Sequence, residues 1–161
     1  DKIDRPLVFN CVDFEKKALN CIESEINKIG PEKKKNLTIH YIQVNIKDLV
    51  KSKSLINELN GQDLVYASGL FDYLSDKMAE RIIKNIINSL KNGALFIIVN
   101  AGLNGSEFRS YYEMLGSWKF FHRTKEALLK WGEGFSSLVE VGFEEFDSPM
   151  NYLFLKIRKN K

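Results

Sequence analysis

Asp63-Leu64-Val65-Tyr66-Ala67-Ser68-Gly69-Leu70-Phe71-Asp72-Tyr73-Leu74-Ser75-Asp76 leads from an apolar run, through a turn, to the start of a helix. Leu64, Val65, Tyr66 and Ala67 form a short uninterrupted apolar stretch, which predicts a buried strand over 63–67. Ser75 is a good N-cap and Asp76 suits the positive end of a helix dipole. Beyond them Ala79, Ile82, Ile83, Ile86, Ile87 and Leu90 recur at helical spacing, and Gly93 stands just past the expected finish. A second apolar run, 95–99, predicts the next strand. Strand, helix and strand in this order, with both strands apolar throughout, call for a parallel sheet covered by helices.

The same alternation extends towards the N-terminus. Residues 7–12 read as a buried strand ending at Asp13, and Ala18, Leu19, Ile22, Ile26 and Ile29 mark a helix that Gly30-Pro31 stops. Residues 37–44 predict another strand, and 49–59 a short helix broken by Gly61. Towards the C-terminus the pattern changes. Residues 104–121 are crowded with aromatics, and Thr124 caps a helix expected to run to Trp131. Two strands close the chain, 138–146 and 152–158, around Asp147-Ser148-Pro149-Met150-Asn151, a turn short enough for an antiparallel hairpin. The expected fold class is α/β: a Rossmann-like three-layer sandwich with a mostly parallel sheet, helices on both faces and a C-terminal antiparallel hairpin.

Composition removes several classes. The 161 residues, 44% apolar and 28% charged, suit one globular domain with a sizeable core. The apolar run 94–99 is far shorter than the roughly 20 residues of a membrane span, and no basic-then-apolar leader opens the chain. Cys11 and Cys21, alone and ten residues apart, make neither a disulfide framework nor a zinc site, so a reduced, cytoplasmic setting is expected. The net charge of +3 gathers at Lys33–Lys35, Lys51/Lys53 and the C-terminal tail. No aromatics alternate with these lysines, so solvated loops rather than a nucleic-acid surface are expected.

Ligands of open parallel sheets bind beyond the carboxyl ends of the strands. Asp13 closes the first strand, where a carboxylate can accept two hydrogen bonds from a ribose diol. Asn45 and Ile46 close the second, an amide with an apolar face suited to an adenine edge. Ser68, Gly69 and Leu70 close the third, where Gly69 allows close backbone approach. Each has a plainer reading as a helix cap or turn residue. The coincidence of all three at strand ends favours a cofactor site. In the aromatic segment Phe108, Tyr111, Tyr112, Trp118, Phe120 and Phe121 could line an apolar pocket, with Arg109, His122 or Arg123 meeting an acid headgroup. Their plainer reading is packing of a helix onto the sheet, and His122 alone reads as a supporting residue. No metal-ligand constellation is present.

Val12-Asp13, Ala18-Leu19, Val44-Asn45-Ile46, 63–66 and 90–95 together resemble the motif series of class I S-adenosylmethionine-dependent methyltransferases. More narrowly, the run 66–74, with Arg81, Asn100, Tyr112-Glu113, Trp118 and Arg123-Thr124, is similar to bacterial proteins of 3-hydroxypalmitic acid methyl ester biosynthesis. The resemblance implies S-adenosyl-L-methionine as cofactor, with Asp13 on the ribose, Asn45 and Ile46 on the adenine, and Ser68, Gly69 and Leu70 at the methionine end. Tyr73 and Asn100 would orient the acceptor, and Tyr112, Trp118 and Arg123 would bind it. The acceptor would be a small carboxylate-bearing or fatty-acyl molecule, needing positioning more than acid–base help. Two departures stand out: Asn45 occupies a position commonly held by Asp, and Ser117 one commonly acidic.

The resemblance further implies a domain over 1–161 that lacks its first strand and the glycine-rich loop after it. That strand would lie between the one ending at Asp13 and the one beginning near Asp63. Either a preceding segment or another copy supplies it, or the two flanking strands pair directly; an upstream domain or a homo-oligomer is therefore expected. Two rival functions remain. A nicotinamide oxidoreductase would also place an acid after a strand, and Tyr73 and Lys77 reproduce a Tyr-x-x-x-Lys spacing, though at a helix cap. A non-catalytic domain that kept the fold is the other.

Overall fold

The computed structural model describes residues 5–51, 59–103, 109–116, 119–146 and 151–161. They fall into two compact units, Asp1–Leu55 and Ile56–Lys161.

In the first unit, strand β1 (Leu7–Asp13) pairs in parallel with β2 (Leu37–Gln43), in register from Leu7↔Leu37 to Asp13↔Gln43. Between them run helix α1 (Lys16–Asn27) and a short α2 (Pro31–Lys34), which carries its proline at the first turn. Pro31 lacks the N–H that the first helical turn leaves unbonded anyway, so it both ends one helix and opens another. Helix α3 (Ile46–Lys51) follows β2 directly; the remainder of the expected 49–59 helix lies largely outside the described residues. Burial here is thin. Among the described residues of this unit Leu19 and Val44 are the buried apolar ones, whereas Val8, Phe9, Val12 and Phe14 stay exposed. The expectation that residues 7–12 form a fully buried strand therefore fails for this unit: a two-stranded sheet has two open edges and too few neighbours to cover both faces.

The second unit holds a four-stranded sheet in the order β3-β4-β6-β5, built from β3 (Gln62–Ala67), β4 (Leu90–Ala101), β5 (Val139–Phe146) and β6 (Tyr152–Lys159). β3 runs parallel to β4, while β6 is antiparallel to both β4 and β5. The expected mostly parallel sheet is thus only half right. The final hairpin inserts its second strand beside β4, and this turns the C-terminal half of the sheet antiparallel. The hairpin itself forms as expected, closing from Val139↔Lys159 to Phe146↔Tyr152; residues 147–150 of its turn lie outside the described residues. β1 pairs with β2 in the first unit's sheet and β3 with β4 in the second's.

Helix α4 (Asp76–Ser89) buries Ala79, Ile82, Ile83 and Ile87, most of the stripe foreseen. Leu90, expected as its last member, instead opens β4, and Gly93, with φ of +79°, lies within that strand rather than at a helix end. The register shift between Gln62 and Leu64 accommodates this early start. Ser75 holds the N-cap position with extended dihedrals, but its side chain makes no capping bond. Thr124 does cap: its hydroxyl accepts the Ala127 N–H at 3.3 Å at the start of α6 (Lys125–Glu133). Helix α5 (Arg109–Gly116) occupies part of the aromatic segment, where the plainer reading placed a helix.

On one face of this sheet α4 and α6 meet the strands around Phe71, Phe96 and Trp131, with ring centroids 6.1 Å (Phe71–Phe96) and 5.7 Å (Phe71–Trp131) apart. Phe96, Ile98, Leu155 and Ile157 share that face by register and are fully buried. Each such side chain contributes about 1.5–3 kcal/mol. α6 comes down close on β5 because residue 132 is glycine; a Cβ there would lie 2.5 Å from a Val141 methyl.

Candidate functional site

At the carboxyl end of the first unit's sheet, Val44 N–H bonds to Asp13 O at 2.9 Å, tying the two strand exits together. The Asp13 carboxylate accepts the Glu15 N–H at 2.8 Å, and Asn45 accepts the Lys47 N–H through its side-chain oxygen at 3.0 Å. Both residues therefore shape turns into helices, as their plainer readings anticipated. Both also keep polar atoms to spare: the second carboxylate oxygen of Asp13 and the amide NH2 of Asn45. Ile46 is half-buried as the first residue of α3.

At the carboxyl end of the second unit's sheet, Ser68 and Gly69 are exposed and Leu70 half-buried. Gly69 has φ of +71°, and a Cβ built on it meets nothing within 4 Å. Here glycine serves the left-handed turn and leaves open space beside the backbone. A 3-10 turn, Phe71–Tyr73, follows. Asp72 points inward, buried, and accepts the Ala101 N–H at 2.7 Å. Burial pushes its carboxyl above the usual range, against the pull of that N–H and of the Arg123 and His122 charges. Tyr73 points outward, 46% exposed, with its ring edge-on to Phe120 at 5.2 Å. Partial burial, and then the Asp72 charge, raise its phenol, so it stays protonated at neutral pH.

Arg123 is the hub of this end. Only 5% exposed, it donates from Nε to Asp76 at 3.0 Å, and from Nη1 to Phe71 O at 3.0 Å, Asn100 Oδ1 at 2.9 Å and Phe121 O at 3.2 Å. Nη2 donates to Leu74 O, and the Trp131 ring lies under the guanidinium at 4.6 Å. An arginine so engaged does not reach out to an acid headgroup, and the expectation that it binds acceptor gives way to a supporting role. Asn100 is corrected in the same way. Fully buried, it receives Arg123 and donates to Ala101 O at 2.8 Å and Phe121 O at 3.1 Å, leaving no amide group for an acceptor. Of the remaining expected acceptor contacts, Trp118 lies outside the described residues, and Tyr112 sits on α5 with a side chain outside them.

Sequence reasoning passed over Asp72 and undervalued His122, which is half-buried with its Nδ1 shielded from solvent and without a hydrogen-bond partner. The signal for Asp72 was an acid set one residue after an apolar Phe, where the 3-10 turn rotates it into the sheet. A groove lined by Gly93, Glu140, Arg158 and Lys159 lies at the opposite end of β4. Among the described residues no cluster of His, Cys, Asp and Glu could hold a metal, and no helix is long and apolar enough to cross a membrane.

No family model matches the chain and no curated protein matches it in sequence, so the narrower resemblance to 3-hydroxypalmitic acid methyl ester proteins finds no support there. Solved structures do match. A SAM-dependent methyltransferase from Methanosarcina mazei is similar with a TM-score of 0.66 at 16% identity, over 95% of this chain and 82% of that one. A possible exported protein from Bordetella parapertussis is similar at 0.69 and 15%, over 98% of this chain and 63% of that one. Magnesium protoporphyrin IX methyltransferase from Synechocystis, a structure with SAH bound, is similar at 0.64 and 10%, over 97% and 75%. At these identities the likeness establishes the architecture: the chain has a methyltransferase-like α/β fold.

Proposed function

We propose that this chain transfers a methyl group from S-adenosyl-L-methionine to a small acceptor with an apolar, fatty-acyl-like body. The observation that carries the reading is the strand order β3-β4-β6-β5, with the last strand inserted antiparallel beside β4. The terminal hairpin favours this reading over a nicotinamide oxidoreductase. The reading keeps, for each unit by itself, the roles that the resemblance implies. The spare oxygen of Asp13 would accept from the ribose, the spare amide of Asn45 and the side chain of Ile46 would meet the adenine, and the open backbone at Ser68, Gly69 and Leu70 would border the methionine end.

The cofactor would supply an activated methyl on a sulfonium; the chain's own residues position the acceptor and exclude water. Tyr73, protonated and exposed, would orient the acceptor, while Arg123 and Asn100 hold the turn that carries it. Of the three residues that the sequence offers to an acid headgroup, Arg109, His122 and Arg123, Arg123 is taken up by the fold and the side chain of Arg109 lies outside the described residues. Calorimetric titration of the full chain with S-adenosylhomocysteine and with NAD tests the reading. Saturable binding of the former is expected; binding of NAD alone would replace methyl transfer by hydride transfer, and binding of neither would favour a non-catalytic domain.

A further inference from the structure

The groove at the end of the second unit's sheet, away from the carboxyl ends of β3 and β4, has a volume of about 610 Å3, and Lys161 joins Gly93, Glu140, Arg158 and Lys159 in its lining. It owes its shape to the early start of β4. That strand begins at Leu90, but its ladder with β6 begins only at Leu95↔Arg158. The carbonyls of Leu90 and Gly93 lie ahead of that ladder, where the positive φ of Gly93 turns the chain. Two cations take them up: Arg158 Nη1 donates to Gly93 O at 3.0 Å, and Lys159 Nζ to Leu90 O at 2.7 Å. A Cβ built on Gly93 would meet nothing within 4 Å, so the space beside these carbonyls is open.

A neutral carbonyl fixes a cation in place without cancelling its charge. Glu140 stands opposite Arg158 in register, yet among the described residues no carboxylate forms an ion pair with Arg158, Lys159 or Lys161. Arg158 is exposed and spends one of its five N–H donors on Gly93. The edge formed by Nε and Nη2 stays available, and its two parallel N–H groups match two oxygens of a phosphate or carboxylate. Arg123 differs, being buried with Nε, Nη1 and Nη2 all engaged within the fold. In the groove three cations against one carboxylate leave a side-chain charge of +2. A phosphate monoester, carrying about −1.5 to −2 at neutral pH, balances that charge, and a lone carboxylate does not. The volume also falls within the roughly 300–1,000 Å3 of small-molecule sites. We propose that this groove binds a phosphorylated small molecule, its phosphate on the Nε–Nη2 edge of Arg158, with Lys159 and Lys161 adding charge. The site lies apart from the strand ends assigned to methyl transfer and does not rest on that reading.

Calorimetric titration of the full chain with phenyl phosphate and with benzoate, at a fixed ionic strength of about 0.1 M, tests the proposal. Phenyl phosphate should bind saturably and at least tenfold more tightly than benzoate. Arg158→Gln should weaken phenyl phosphate at least tenfold, and Arg158→Lys should recover little of this, because an ammonium lacks the fork. Glu140→Gln, which removes a like charge from the groove, should tighten binding. Lys91→Gln removes a cation from the same end of the sheet, one paired with Asp63 at 2.8 Å and not part of the lining, and should change affinity less than twofold. Glu140→Gln keeps the side chain's shape, so its sign decides the matter even where an Arg158 variant fails to fold. Binding that does not saturate, benzoate held as tightly as phenyl phosphate, equal losses for Arg158→Gln and Lys91→Gln, or weaker binding by Glu140→Gln overturns the proposal.

Discussion

At the scale of single residues, the two glycines at the strand ends of the second unit differ in what they forbid. Gly69 needs only its positive φ, since a Cβ would meet nothing within 4 Å. Gly69→Ala should cost roughly 1–2 kcal/mol of backbone strain. Gly102 is tolerant in φ, but a Cβ would lie 2.6 Å from Asn151 O, backbone that cannot swing aside. Gly102→Ala should cost about 1–3 kcal/mol by overpacking and should weaken the 2.7 Å bond from Gly102 N–H to Asn151 O. Urea denaturation of both variants checks the pair. Asp72 gives a pH signature. Its folded carboxyl titrates above the unfolded value, so its contribution is most favourable below the ordinary Asp range and is lost as pH rises through the raised value. The stability of the parent relative to Asp72→Asn should therefore fall with rising pH across the acid range; a difference that rises with pH would show the carboxyl to be depressed instead.

Between elements, Arg123 joins the 3-10 turn, the first turn of α4 and the end of β4. Its pairing with Asp76 contributes little, because Asp76 is 68% exposed and solvent screens it. The bonds to Phe71 O, Leu74 O and Asn100 are buried, and removing their donor leaves acceptors unsatisfied at about 1–3 kcal/mol each. Asp76→Ala should thus cost less than about 1 kcal/mol, and Arg123→Met about 3 kcal/mol or more. Arg123→Lys should rescue little, because a point ammonium cannot reproduce the planar fork. Comparable losses for Asp76→Ala and Arg123→Met in denaturant melts would make the ion pair, rather than the carbonyl bonds, the source of the stability. None of this was legible beforehand: Arg123 read as a contact for the acceptor, since charge and spacing carry no record of which carbonyls a loop brings within reach.

Across the whole molecule, the units differ in how much they bury. Among the described residues, Leu19 and Val44 are the buried apolar ones of the first, against a set from Phe71 to Ile157 in the second. Local opening follows the density of buried contacts. Amides of β1 and β2 should exchange with solvent at least tenfold faster than those of β4 and β6, a difference that hydrogen-exchange mass spectrometry resolves. If the spare oxygen of Asp13 accepts from ribose, Asp13→Ala should weaken S-adenosylhomocysteine by about 1.5–3 kcal/mol, roughly tenfold to a hundredfold. Unchanged affinity by calorimetry would leave Asp13 as the turn residue that its bond to Glu15 already makes it.

Local pattern by itself determined the elements: apolar runs became β3 and β4, the Ile stripe became α4, Thr124 capped α6, and the short link after 146 returned the chain as a hairpin. These depend on neighbours a few residues apart, which periodicity and turn chemistry record. Only the tertiary structure decided where the hairpin docks, hence the half-antiparallel sheet, and which polar residues near the strand ends are consumed. Asn100 and Arg123 satisfy one another and distant carbonyls, whereas Tyr73 and His122 are left facing outward or unpaired. Such accounting joins groups up to 52 positions apart, as Arg123 joins Phe71, and no local spacing encodes it.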